Sequence, residues 1–189
     1  MKQRVQSCIR NQKRKAGTVL ACSLFPHQMY DSIHQLDPAA LAAAGVRLVL
    51  ADLDNTISPY SVSEPTEEVL AWKRGLERND IALFILSNNR SETRVKAYCR
   101  LLDVPFIDHA GKPKRGSFFR AMEQMGVSPE ETIMVGDQIM TDVLGGNRAG
   151  IPVYLVKPIR IRDNILRILR HGLEQPVIFL AKMRRRRET

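Results

Sequence analysis

Five short apolar runs, each followed by a stretch with helical spacing, limit this chain to a small set of folds. The runs are Val46–Ala51, Ile81–Leu86, Pro105–Ile107, Thr132–Val135 and Pro152–Val156. The stretches that follow them are Glu64–Arg78, Ser91–Leu102, Ser117–Met125, Thr141–Ala149 and Arg162–Leu169. Val69, Trp72 and Leu76 show the periodicity, falling on one face of the first stretch. A strand that is apolar along its whole length is buried on both sides. That is the signature of a parallel sheet covered by helices on both faces. Ahead of the first run, Asp37-Pro38 opens a further helix, with Asp as cap and Pro at the first helical position, and Gly45 closes it.

The expected fold is therefore α/β: a Rossmann-like parallel sheet flanked by helices in three α/β/α layers. Such sheets bind ligands beyond the carboxyl ends of their strands, near the point where strand order reverses. Polar residues fall where that rule wants them. Asp52, Ser87 and Asp137 each stand at or just past the end of an apolar run.

The strongest chemical signal is Asp52-Leu53-Asp54-Asn55-Thr56, directly after Leu48-Val49-Leu50-Ala51. Carboxylates two residues apart on extended chain point the same way. Held together they repel, and they attract a hard divalent cation such as Mg²⁺, which prefers carboxylate oxygens and water. A carboxylate beside such a cation can attack phosphorus, and a second one can move protons at the leaving oxygen. Ser87-Asn88 offers a hydroxyl and backbone N–H groups to a phosphoryl oxygen. Lys112-Pro113-Lys114 offers a fixed ammonium that would stabilise charge in transit. Gly136-Asp137, with Asp142 five residues on, offers further metal ligands, and Gly136 permits close backbone approach. Each part alone has an ordinary structural reading as a turn, a cap or a solvated loop.

The order of these parts resembles the haloacid dehalogenase (HAD) superfamily of phosphohydrolases across roughly residues 46–158. The resemblance implies Asp52 as nucleophile and Asp54 as general acid/base. It implies Ser87, Asn88 and Lys112 around the phosphate, with Lys112 preferred to Lys114 because the family's lysine usually precedes a proline. It implies Mg²⁺ held by Asp52, the backbone carbonyl of Asp54 and Asp137, with Asp142 in support. The intervals from Asp54 to Ser87 and from Ser87 to Lys112 leave no room for a separate cap domain. That is similar to the capless IIIA subgroup, whose open site suits large substrates. Leu24-Phe25-Pro26 and Tyr30-Asp31-Ser32-Ile33, ahead of Asp52–Thr56, resemble the YqeG-like branch of that subgroup. This branch includes phosphatidylglycerophosphate phosphatases, which implies a phosphorylated lipid as substrate.

Charge divides the chain. Residues 1–16 carry +6 and residues 157–189 carry +7 of a net +9, so the middle sits near −4. The expected organisation is a flexible basic arm at 1–16, one domain at 17–171 with an N-terminal extension, and a basic tail at 172–189. Basic ends attract an anionic membrane surface or nucleic acid, or they serve only as solvated tails. The helix at 162–169 could lie on a membrane through Ile161, Ile165 and Ile168, or pack against the sheet. A phosphatase of soluble or nucleic-acid phosphates, and a nucleic-acid- or ribosome-binding protein with a vestigial site, are the competing readings. Three widely spaced cysteines, Cys8, Cys22 and Cys99, argue for a reducing compartment and against a disulfide framework or zinc site, and no apolar run is long enough to span a bilayer. A cytoplasmic protein, peripheral at most on the inner membrane surface, is expected.

Overall fold

The structure, a computed structural model, describes residues 23–160, 172–181 and 183. The arm at 1–16, the helix expected at 162–169 and the Arg184–Arg187 run lie outside the described residues. Six strands form one sheet: β1 (Gln28–Tyr30), β2 (Leu48–Ala51), β3 (Ala82–Leu86), β4 (Phe106–Ile107), β5 (Thr132–Gly136) and β6 (Val153–Val156). Their order is β1-β6-β5-β2-β3-β4, and every neighbouring pair is parallel. From β2 the chain winds outward through β3 and β4, then returns to build β5 and β6 on the other side. The reversal falls at β2, between β3 and β5.

Alternation along the strands sorts the core into two layers. Val49, Ala51, Leu83, Ile85, Ile133 and Val135 face α1 (Pro38–Ala43), α2 (Glu67–Glu77) and α3 (Glu92–Leu102), meeting Leu41, Trp72, Leu76, Val95 and Tyr98. Leu48, Leu50, Phe84, Leu86, Met134 and Val153 face α4 (Gly116–Met125) and α5 (Leu144–Ala149), meeting Phe118, Ala121, Met122 and Ala149. The sandwich is the three-layer α/β/α arrangement expected. Asp37 caps α1 by accepting from Ala39 N at 3.1 Å, also as expected. The stretches between Asp54, Ser87 and Lys112 are consumed by α2, β3, α3 and β4. Among the described residues no cap domain stands over the strand ends.

Three features depart from the sequence reading. First, β1 adds a sixth strand from the extension, where only short helical pieces were expected. It pairs in register Gln28↔Tyr154, Met29↔Leu155 and Tyr30↔Val156. Its neighbour His27 uses Nδ1 to accept from Val153 N at 3.0 Å, and burial pulls that imidazole down to about 4, so it stays neutral. Second, the helix expected over Thr141–Ala149 opens instead with a π-helical turn at Ile139–Val143, and α5 begins only at Leu144. Third, residues 172–181, within the stretch read as a tail, form a helix, α6. Glu174 on α6 is buried, and its Oε1 accepts from Met140 N at 3.2 Å.

Candidate active site

The reversal point gathers the ends of β2, β3 and β5, and with them Asp52, Ser87 and Asp137. Asp52 N donates to Val135 O at 2.9 Å, which extends the β2–β5 pairing past the strand and sets the carboxylate over the sheet edge. Oxygens of Asp52, Asp137 and Asp142 all lie within 4.8 Å of one another, and all three residues are buried.

Gly136 and the π-turn explain how Asp142 joins this group. The wide turn carries residue 142 back over the end of β5, where Gln138 N donates to its Oδ2 at 3.1 Å. A Cβ on Gly136 would stand 2.4 Å from the Asp142 carboxylate. The backbone of residue 136 must therefore be bare for Asp142 to enter.

Lys112 reaches the same point from the loop after β4. Its Nζ donates to Asp52 Oδ1 at 2.6 Å and Leu86 O at 2.7 Å, and forms an ion pair with Asp142 Oδ1 at 2.7 Å. Burial opposes charge on this ammonium. Asp142 and Asp52 outweigh that and hold it protonated, above the usual lysine range. Asn88 fixes the lysine's backbone: its Nδ2 donates to Lys112 O at 3.0 Å, and its Oδ1 accepts from Lys112 N at 2.9 Å. The side-chain amide of Asn88, expected beside a phosphate, is thus engaged by Lys112. Lys114 is exposed and stands outside the cluster. Ser87 is buried at the end of β3, with its Oγ accepting from Asn89 N at 3.1 Å.

Three buried acidic side chains face one ammonium, more acid than that single cation can balance. Burial, then the neighbouring Asp142 and Asp54, push the Asp52 carboxyl up to about 7, while Lys112 pulls it down. Burial, Asp52 and Asp142 likewise raise Asp137 well above the carboxylate range. Asp52 Oδ2 is buried with no hydrogen-bond partner. An orphaned oxygen amid excess negative charge is what a divalent cation with oxygen ligands would satisfy. The residues fit such an ion, with Asp52, Asp137 and Asp142 as the side chains able to hold it.

Asp54 is placed differently. Its Oδ1 accepts from Arg94 Nε at 3.2 Å and Nη2 at 3.0 Å, and its Oδ2 accepts from Asn89 Nδ2 at 2.7 Å. Arg94 also donates to Val62 O at 2.6 Å and Pro59 O at 3.0 Å, and its guanidinium lies 5.0 Å from the centre of the Tyr60 ring. Thr56 Oγ1 donates to Asp137 Oδ1 at 3.3 Å. Arg94, Asn89 and Thr56 carry no role in the sequence reading. Thr56 was legible as part of the Asp52–Thr56 segment; Arg94 sits on the first turn of a polar helix and gives no local signal. His109, near the lysine in sequence, is exposed and pairs with Asp108 at 3.6 Å.

A carboxylate with a free oxygen, a locked ammonium and a second carboxylate on a separate hydrogen-bond network can attack an electrophile, stabilise its charge and move a proton. Comparison with known proteins says which chemistry this is. Residues 109–158 match the HAD-hydrolase-like family model. The probable phosphatase YqeG of Bacillus subtilis is 32% identical over 157 residues, covering 83% of this chain and 91% of that one. The chloroplastic/mitochondrial phosphatidylglycerophosphate phosphatase 1 of Arabidopsis thaliana is 26% identical, covering 72% of this chain. The chloroplastic phosphatidylglycerophosphate phosphatase 1 of Chlamydomonas reinhardtii is 29% identical, covering 76%. This chain spans 41% and 60% of those two proteins' lengths. The likeness to YqeG covers 83% of the chain and places it among the phosphatases of the HAD superfamily, in the YqeG-like branch.

Proposed function

We propose that this phosphatase is Mg²⁺-dependent, works through an aspartyl-phosphate on Asp52, and acts on phosphatidylglycerophosphate. The observation that carries the mechanism is the meeting of Asp52, Asp137 and Asp142 around one point with Lys112 locked onto Asp52. Bound between those carboxylates, Mg²⁺ would supply the charge that lets a phosphate dianion approach Asp52.

An oxygen of the Asp52 carboxylate attacks phosphorus, and the bond from phosphorus to the alkoxy oxygen breaks. Asp54, oriented by Arg94 and Asn89, gives that oxygen its proton. It then takes one from the water that cleaves the aspartyl-phosphate, returning Asp52 and releasing inorganic phosphate. Ser87 offers its hydroxyl to a phosphoryl oxygen, and the nearby Lys112 ammonium offsets phosphoryl charge during both steps.

Two observations support a lipid substrate. One is that the plant and algal relatives are phosphatidylglycerophosphate phosphatases. The open mouth is the other, since no separate cap encloses the strand ends among the described residues. The test is phosphate release from phosphatidylglycerophosphate, glycerol phosphates, nucleotides and nucleic-acid ends, with and without Mg²⁺. Mg²⁺-dependent preference for the lipid is expected. Release no faster than by Asp52→Asn protein rejects the mechanism. A strong preference for a soluble phosphate or a nucleic-acid end rejects the lipid.

A further inference from the structure

The helix α6 is apolar on two sides. Its inner side carries Val177 and Ile178 against the core under α4, with Ala181 and Glu174 buried beside them. Its outer side exposes Leu173 (81%), Phe179 (61%), Leu180 (55%) and Met183 (41%). At 3.6 residues per turn these four and the exposed Pro176 fall on one face, opposite Ile178 and Ala181. The one charged side chain between residues 172 and 181 is Glu174, which is turned inward onto Met140.

A helix apolar all round belongs in an interior or at a lipid boundary. A run of exposed apolar side chains of this kind marks a contact surface. The sequence around it says what contacts it. Lys182 and Arg184–Arg187 come directly at its end, five cations in six positions. An apolar face joined to a dense cationic run complements an anionic bilayer, whose headgroups take the charge and whose acyl boundary takes the apolar side chains. Among the described residues no helix is long and apolar enough to cross a membrane, so the contact would be interfacial.

We propose that α6, with the arginines that follow it, seats this protein on an anionic bilayer surface, burying Leu173, Phe179, Leu180 and Met183 in the interface. The seat adjoins the active site. Glu174 ties α6 to Met140 in the π-turn, the same turn that carries Asp142. A phosphorylated headgroup held at the surface then lies beside the strand ends. The seat itself rests on α6 and the arginines; only its benefit to turnover rests on the lipid substrate proposed above.

Co-sedimentation of the full chain with vesicles tests it, using phosphatidylcholine alone and phosphatidylcholine mixed with phosphatidylglycerol. Binding to the mixed vesicles is expected, with little to the neutral ones. Replacing both Phe179 and Leu180 by Asp should weaken binding about tenfold or more. Replacing all four of Arg184–Arg187 by Gln should weaken it on the order of a thousandfold. Hydrolysis of nitrophenyl phosphate should be unchanged in both. Leu173→Asp, at the most exposed position, reads the same face with least disturbance of the packed side. No binding to mixed vesicles, or undiminished binding by both the double variant and Leu173→Asp, overturns the proposal. So does a fall in melting temperature, or conversion of an oligomer to a monomer, in Leu173→Asp; the face would then be covered by this chain or a second copy. Vesicle binding without activity on phosphatidylglycerophosphate would reject the substrate and keep the seat. Activity on that lipid in detergent micelles without vesicle binding would do the reverse.

Discussion

Asp52 and Asp54 stand two residues apart on the same strand end, yet their surroundings differ in kind. Asp52 is the more buried, with 8% of its side chain exposed against 14% for Asp54; it shares one ammonium with Asp142 and keeps an oxygen with no partner. Asp54 is partly exposed and bound on both oxygens, by a guanidinium and an amide that belong to the loop after β3 and the start of α3. The enclosed carboxylate has lost its water and gained a fixed cation, which suits bond formation to phosphorus. The partly exposed one keeps access to solvent and is aimed by a planar, bidentate partner, which suits proton traffic. Identical side chains two positions apart thus receive different surroundings from the rest of the chain, and the roles proposed for them rest on that difference.

The largest test of this division is Asp52→Asn. Loss of the attacking oxygen should lower turnover on the order of 10⁴-fold or more, measured as phosphate release at saturating Mg²⁺. Residual activity within tenfold of the parent would remove Asp52 from the nucleophile's place.

Lys112→Met should come next. Losing the fixed ammonium should reduce turnover about 10²–10³-fold. It also leaves Asp52 and Asp142 buried without their cation, so denaturant unfolding should show a loss of about 3–5 kcal/mol. An equally buried Lys112→Met protein of parental stability would show that the enclosed half of the comparison has been misread.

A smaller and more selective effect is expected on the Asp54 side. The ratio kcat/KM covers steps only through departure of the leaving group. For an alkyl phosphate, whose leaving oxygen needs a proton, it should fall on the order of 10²-fold in Asp54→Asn. In Arg94→Lys, which keeps charge but loses the two-pronged grip, it should fall about tenfold. For nitrophenyl phosphate, whose leaving group departs without help, both variants should stay near parental values. A matching fall for both substrates in Asp54→Asn would dissolve the distinction between the two carboxylates. The same result in Arg94→Lys alone would leave Asp54 its role and make Arg94 structural.

The smallest effect concerns the metal-free protein. With no cation bound, the Asp52 carboxyl titrates near 7 in the folded chain, against an ordinary value of 3.8. Between those limits the folded state holds a proton that the unfolded state has released. Stability in chelator should therefore decline as pH rises from about 4 to about 7. Mg²⁺ needs the carboxylates ionised, so its stabilisation should be greater at neutral pH than at pH near 5. At a hundred times its Kd the ion should add about 2.7 kcal/mol, or about 5–10 °C in Tm for a domain of this size. A pH-independent Tm in chelator would mean that Asp52 is not shielded from water as described.

The legible parts of this molecule were those fixed by local pattern. β2, β3, β5 and β6 are almost wholly apolar because both faces are covered, and Asp52, Ser87 and Asp137 past β2, β3 and β5 mark the ligand-binding edge. Other parts depend on distant partners. β1 is three residues of mixed polarity, Gln28-Met29-Tyr30, and becomes a strand only because β6 offers a free edge. The π-turn at Ile139–Val143 exists to return Asp142 to Gly136, and helix periodicity over so short a stretch does not separate it from an ordinary helix start. Arg94 looks like any solvated helix residue until the Pro59–Val62 loop folds beside it. The apolar outer side of α6 was hidden by the charge that follows it, which drew the whole segment into a single basic tail.

The grip of Asn88 on Lys112 has one more consequence. By taking the lysine's amide hydrogen and offering one to its carbonyl, a single side chain imitates an adjoining strand and welds two loops at one point. Whatever lies between the weld and the outer rim is then free to drift in evolution. Insertions next to the exposed His109, short of the buried Ala110, could lengthen that loop to recognise new headgroups without unseating the ammonium, whereas one change at Asn88 would unfasten it.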